Sequence, residues 1–360
     1  MLQQFPPTRK CEQAICLSQP APPTPAPVSE AEFLARTMTA CTRAAAQIVA
    51  SLFLLTGMMG CDHGFPAPTV TTAARIAAEP LEIKYREGRG GLILIRGVAT
   101  SSARGSAEME FILDTGAPQT VLINSAATQS LKLDTTKARR LGPADRPTSP
   151  VGVIEPGFTL DFGVAKLSNL TAVVIDQSTL PCQDRFAAIG FQGIIGADLF
   201  RSFVVAIDTK TKTIRLHDPK AFVAQNMQAL PLTFMAGHPH LSGEITNAQG
   251  LKTHLLLHVD SGRNFSASLL PNAGAGLVAP SDAKMRKSCF VSGETESAIL
   301  PSMTLSLGGI AVQLVDPVLD APGTIHEPGV QGSVGIGALS RYRLAIDYPG
   351  KRLWVGAIAP

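Results

Sequence analysis

Two stretches of this chain place an acid at the tip of an apolar strand. The first is EMEFILDTGAPQTVLI, Glu108 to Ile123, which carries Asp114-Thr115-Gly116. The second is THLLLHVDSGRNFSASLL, from Thr253, which carries Asp260-Ser261-Gly262, 260 − 114 = 146 positions later. An acid at the end of a buried strand is costly unless it is hydrogen-bonded or has chemistry to perform. Two carboxyl groups held about 3 Å apart cannot both ionise easily, so one becomes an acid and the other a base. Gly116 and Gly262 suit the tight turns and close backbone approach that such a pair demands.

The elements that would position these acids are written twice. In the first half, LEIKY (Leu81 to Tyr85) and GGLILIRGVAT lead to the Asp114 strand, followed by GIIGADLF (Gly193 to Phe200) and VVAIDTKTKTIRL (Val204 to Leu216). In the second half, LPLTF (Leu230 to Phe234) and HLSGEIT lead to the Asp260 strand, followed by GSVGIGAL (Gly332 to Leu339) and RLAIDYPGKRLWV (Arg343 to Val355). Asp114 precedes Gly193 by 193 − 114 = 79 positions, and Asp260 precedes Gly332 by 332 − 260 = 72. Four matches in one order, at similar spacing, indicate an internal duplication. The AID segments read as hairpins turning at Thr209–Thr213 and at Pro349-Gly350, with Asp208 and Asp347 capping turns. GADLFRSF and GIGALSRY each suit one helical turn. The expected architecture is all-β: two similar barrel-like lobes with a cleft between them. The divisions are a leader at 1–60, a linker at 61–80, a lobe at 81–218, a linker at 219–229 and a second lobe at 230–360.

Asp-Thr/Ser-Gly after an apolar strand, followed later by two apolar residues and Gly (Ile194-Ile195-Gly196), resembles the aspartic peptidase signature. FILDTGA and GIIGADLFRSFVVAID look most like the bacterial retropepsin-like group. Two copies in one chain are similar to the bilobed pepsin arrangement. The resemblance spans nearly all of 81–360 and is looser in the second half, where Ser333-Val334-Gly335 replaces the apolar pair. It implies a peptide hydrolase with Asp114 and Asp260 as the acids, meeting on a pseudo-twofold axis. Thr115 and Ser261 would bond across to the opposite lobe, and the Gly196 and Gly335 segments would pack beneath the active-site loops. It implies a peptide or protein substrate and neither metal nor organic cofactor. Three features depart from the family pattern. Arg263 follows the second motif, where its guanidinium has three options: toward the acids, along the cleft, or out to solvent. The flap expected around Arg146 to Phe158 has no Tyr. The corresponding loop of the second half, NAGAGLVAPSDAK, is rich in Gly and Ala. The rival reading is a non-catalytic lipoprotein that binds extended peptides; a third is self-processing only.

Bulk composition agrees with a turn-rich β protein. The 360 residues are 45% hydrophobic and 16% charged, with 32 Gly, 27 Pro and only 5% aromatics. The formal net charge of +3 offers no basic stripe for nucleic acid. A monomer is expected. The N-terminal region stands apart. A Pro-rich segment, Gln19 to Glu32, precedes Arg43 and the apolar run AAAQIVASLFLLTGMMGC, which ends at Cys61. That pattern reads as an export signal, and Met58-Met59-Gly60-Cys61 resembles a bacterial lipoprotein signal with Cys61 as the lipidated residue, although Met58 stands where Leu is usual. An uncleaved anchor or plain secretion are the alternatives, and Met38 is an alternative start. Tethering on the periplasmic side of a membrane, or secretion, is therefore expected. Of six cysteines, Cys182 and Cys289 remain in the globular part, either bridged or as two free thiols. His238 and His240, in GHPH, read as solvated loop histidines.

Overall fold

The computed structural model describes residues 69–72, 79–141, 150–246, 250–271, 273–274, 277–290, 293–321 and 327–357. The leader with Cys61, residues 146–149 of the expected flap, and part of the Gly/Ala-rich loop lie outside them. The fold is nearly all β, with a closed six-stranded barrel in the first half and a curled half-barrel in the second. Among the described residues no helix is long and apolar enough to cross a membrane.

Each half builds the same frame around its acid. The strand Ser106–Leu113 alternates exposed and buried positions until Phe111, then stays buried to Leu113 as it enters the core. It runs antiparallel to Ile93–Thr100, with Ile95 opposite Phe111, and parallel to Gly193–Ile195, with Leu113 opposite Ile195. Val121–Asn124 closes on the other side of Gly193–Ile195, antiparallel. In the second half, Lys252–Asp260 runs antiparallel to His238–Thr246 and parallel to Gly332–Gly335, with Asp260 opposite Gly335. Ala267–Leu269 then lies antiparallel to Gly332–Gly335. The acid-bearing strand therefore pairs in parallel with the glycine-bearing strand in both halves. Such pairing buries both faces of a strand, which accounts for the unbroken apolar runs FIL and GII.

The hairpins Val204–Asp208/Thr213–His217 and Tyr342–Asp347/Arg352–Ala357 meet each other, with Val205 opposite Ile346. They carry the first sheet across from one half to the other. Asp208 accepts from the backbone N–H groups of Lys210 and Thr211, and Asp347 from that of Gly350, so both acids hold turns. One continuous core runs beneath the two halves and includes Leu113, Phe200, Val259 and Ile336. Truncating a side chain such as Phe111, which is fully buried, costs about 3–5 kcal/mol.

The histidines of GHPH are not in a loop. His238 opens the strand His238–Thr246, and His238 and His240 are 4% and 0% exposed. The turn is confined to Ala236-Gly237, both at positive φ, and Pro239 is tolerated because its partner is the three-residue strand Thr233–Met235. His240 lies opposite His258 on the neighbouring strand, and the His258 ring stacks on His238 and lies tilted against His240, with centroids 5.1 and 5.3 Å away. His238 Nδ1 lies 2.6 Å from Glu327 Oε1. Val151 to Phe158 of the expected flap lies in a long strand, Val151–Asp161, paired with Ala165–Asp176.

Candidate active site

The structure brings Asp114 and Asp260 together at the junction of the halves, where a Cβ on Gly116 would meet both carboxyl groups. The loops that carry them are locked by hydroxyls exchanged across the junction. Thr115 Oγ1 donates to the carbonyl of Val259 at 2.7 Å and accepts from Ser261 N–H at 2.9 Å. Ser261 Oγ donates to the carbonyl of Leu113 at 2.9 Å and accepts from Thr115 N–H at 2.9 Å. Both hydroxyl residues are buried, so these four bonds form in low dielectric and leave no polar group unpaired. Each loop is also supported from below. Ala197 N–H donates to the carbonyl of Ala117 at 2.9 Å, and Gly335 N–H to that of Ser266 at 3.0 Å. A Cβ on Gly196 would strike the carbonyl of Ala117, and one on Gly335 that of Phe265. Glycine is required at both places for this contact.

The pair is built asymmetrically. Asp114 Oδ1 accepts from the N–H groups of Gly116 at 2.7 Å and Gly262 at 3.2 Å. Arg263 Nε donates to Asp260 Oδ2 at 3.2 Å, and the two side chains are only 14% and 15% exposed. Of the three orientations open to Arg263, the structure has the one that faces the acids. Its guanidinium also bonds Ser268 Oγ and lies over the Phe265 ring, 5.1 Å from the centroid. Burial, and then the charge of Asp260, push the Asp114 carboxyl well above the usual range, against the pull of the two glycine N–H groups. Burial also acts to raise Asp260. The charge of Arg263, with smaller contributions from His258 and from hydrogen bonds donated by Asp114 and Arg263, outweighs it and holds Asp260 below the usual range. These surroundings make Asp114 the more basic carboxyl of the pair and Asp260 the more acidic.

Several supporting residues carry no motif in the sequence. Tyr348, in the turn of the last hairpin, donates its hydroxyl to the carbonyl of Thr115 at 3.1 Å. Its ring packs on Phe200 and Phe234, and burial, followed by the charge of Asp114, keeps its phenol well above the usual value. Asp198, in the first turn of Ala197–Ser202, accepts from both the N–H and the hydroxyl of Thr120, at 2.7 and 2.9 Å. It thereby pins the strand that follows the Asp114 loop. His258 lies two positions before Asp260 on one strand, and burial drives its pKa down to about 3, so it is neutral. Among the described residues, Nε2 of His238, His240 and His258 is buried without a hydrogen-bond partner, His240 Nε2 lying 3.7 Å from Glu327 Oε2.

Cys182 and Cys289 are bridged, with Cα atoms 6.3 Å apart, which settles the two alternatives left open by the sequence. The bridge ties the start of the helix Gln183–Ile189 to the hairpin strand Met285–Phe290 of the other half. Cys182, Cys289 and Glu294 also cluster at metal-ligand distances. With both sulfurs in the disulfide, no thiolate remains there to hold a metal ion.

Residues 99–199 match a family model described as aspartyl protease. That span contains Asp114, Thr115, Gly116 and the Gly196 segment, and supports a peptidase-like function for the chain. It stops short of Asp260. No curated protein matches the chain.

Proposed function

We propose that this protein is an aspartic endopeptidase in which water, held between Asp114 and Asp260, attacks the peptide carbonyl. The observation that carries this reading is the meeting of two carboxyls on loops locked by exchanged Thr115 and Ser261 hydroxyls, one held by glycine N–H groups and the other by Arg263. Ionised Asp260 takes a proton from the water as the water oxygen bonds to the carbonyl carbon. Protonated Asp114 donates to the carbonyl oxygen. Asp260 then gives its proton to the nitrogen as the C–N bond breaks, and Asp114 recovers one from a hydroxyl of the tetrahedral intermediate as the new carboxyl carbonyl forms, restoring the single proton. Thr115 and Ser261 keep the two acids from drifting apart, which matters because misplacement of about 1 Å can cost about 10²-fold in rate. The cleft between the halves is the place for an extended peptide. No step calls for a metal or an organic cofactor. Cys61, outside the described residues, would carry the lipid that tethers a monomeric, exported enzyme to a membrane.

The test is cleavage of a mixed peptide library by the mature protein across a pH series, with and without a peptide inhibitor bearing a transition-state-mimicking hydroxyl. Cleavage within peptides that the inhibitor stops upholds the reading. A protein that binds the inhibitor and cuts nothing at any pH is a peptide-binding lipoprotein instead.

A further inference from the structure

A cavity of about 1000 Å³ opens beside the dyad, starting at Gly262 and Arg263. One wall is the loop Glu87–Leu92 with the helix Gln183–Ile189, and the other is Asn264 to Ser266 with Arg286 to Cys289. Seven cationic side chains line it against two carboxylates, Glu87 and Asp316. Glu87 is engaged elsewhere, by Lys212 at 3.1 Å. Arg86 is likewise engaged, by Glu110 at 2.6 Å. Arg263 is engaged too, by Asp260 at 3.2 Å. The remaining five are Arg89, Arg185, Arg286, Lys287 and Arg341. Arg89 and Arg341 are exposed and make no ion pair among the described residues. Arg185 and Lys287 share the exposed Glu294 at 3.9 Å each, contacts too long and too solvated to neutralise them. Like charges gathered in one concave site repel one another, and their field concentrates anions there.

We infer that this pocket is a specificity site for peptides that carry Asp or Glu on one side of the scissile bond. The inference rests on the peptidase reading and names its substrate class. Arginine forks bind carboxylates through paired hydrogen bonds. Phe186, Phe191 and Phe265 in the same walls offer apolar surface for the stems of those side chains. A peptide suits the site better than another polyanion because the lining reaches Gly262 and Arg263, whose N–H groups bond Asp114 and Asp260. An occupant would thus continue as backbone across Asp114 and Asp260. The Cys182–Cys289 bridge joins the two cationic walls, and Arg185 donates to the carbonyl of Lys287 at 3.4 Å, so the charges are held in place before a ligand arrives.

The experiment is positional-scanning peptide cleavage by the full mature protein and by an Arg286→Gln/Lys287→Gln variant, neither residue touching the acids. Wild type is expected to enrich Asp and Glu on one side of the cut, and moderate salt is expected to slow only those substrates. The variant should lose about 10- to 100-fold in kcat/KM on acidic peptides, mostly through KM, and keep its rate on neutral ones. Arg286→Glu should move the preference toward Lys. Preference for neutral or basic residues at every position, or an equal loss on acidic and neutral peptides, overturns the inference. If nothing is cut, the peptidase reading fails, and fluorescence anisotropy with a labelled Glu-rich peptide still decides the pocket. Salt-sensitive binding that the double variant loses upholds an acidic peptide ligand, and no binding overturns it. Displacement of that probe by a DNA oligonucleotide of equal charge at far lower concentration also overturns it, in favour of nucleic acid.

Discussion

Arg263→Ala is the most informative single substitution because, among the described residues, it removes the one cation in direct contact with the dyad. Nε lies 3.2 Å from Asp260 Oδ2, and an effective dielectric of about 20 gives an attraction of roughly 332/(20 × 3.2), about 5 kcal/mol. That is a ceiling of nearly 4 pKa units at about 1.4 kcal/mol each, and a carboxylate beside Arg is ordinarily shifted by about 1–3. The sign follows from the charge states. A cation favours every deprotonated form of the pair, so its loss raises both apparent values. The lower one, the ionisation that leaves Asp260 charged, rises most because the contact is with Asp260. The acid limb of the pH profile of kcat/KM should therefore move up by about 1–3 units, with a smaller upward move of the alkaline limb. Arg263→Lys, which keeps the charge, should restore most of the wild-type profile. Circular dichroism must show the fold intact, since Asp260 loses its partner in a site only 15% exposed. Both limbs staying in place in a folded Ala variant would refute the reasoning that Arg263 sets the ionisation of Asp260.

Three further outcomes follow from the geometry. Gly262→Ala places a methyl against the Asp114 carboxyl and should abolish turnover while the core, and hence the thermal midpoint, changes little; retained activity would show that the two loops do not need to approach this closely. His258 is neutral in the fold with a pKa of about 3, against 6.5 when unfolded, so the unfolded chain binds the extra proton between those values. Stability should fall as pH drops below about 6.5, by up to about 1.4 kcal/mol per unit from this group, and urea titrations of His258→Phe between pH 7 and 5 should show a flatter dependence. Cys61→Ser should release the protein from membranes or block its maturation, read by fractionation and gel mobility; unchanged attachment would favour an uncleaved anchor.

The duplication makes much of this site legible. Asp114 and Asp260 stand out because the strand, the acid and the later glycine recur in one order, and the order of elements encodes the parallel pairing that buries them. Thr115 and Ser261 are readable for the same reason. Tyr348 is not, because it belongs to a turn whose partners, Phe200, Phe234 and Thr115, are set by how two distant hairpins meet. Asp198 looks like an ordinary helix-start acid, and its bond to Thr120 spans 78 positions. The GHPH histidines mislead because Gly237 and Pro239 mark a turn, yet burial there depends on Glu327, 89 positions from His238. The direction of Arg263 is not written in its place in the chain, since a long side chain reaches acid, cleft or solvent from one Cα. The bridge between Cys182 and Cys289 crosses the two halves, so only their packing reveals it.

The central claim is that the two acids work as one unit, and kcat for Asp114→Asn, Asp260→Asn and the double variant on one cleaved peptide tests it most directly. Each single change should lower kcat by at least about 10³-fold, and the double variant should be little worse than either, because groups that share one proton fail together. Substantial turnover in either folded single variant, or losses that multiply in the double, would contradict it.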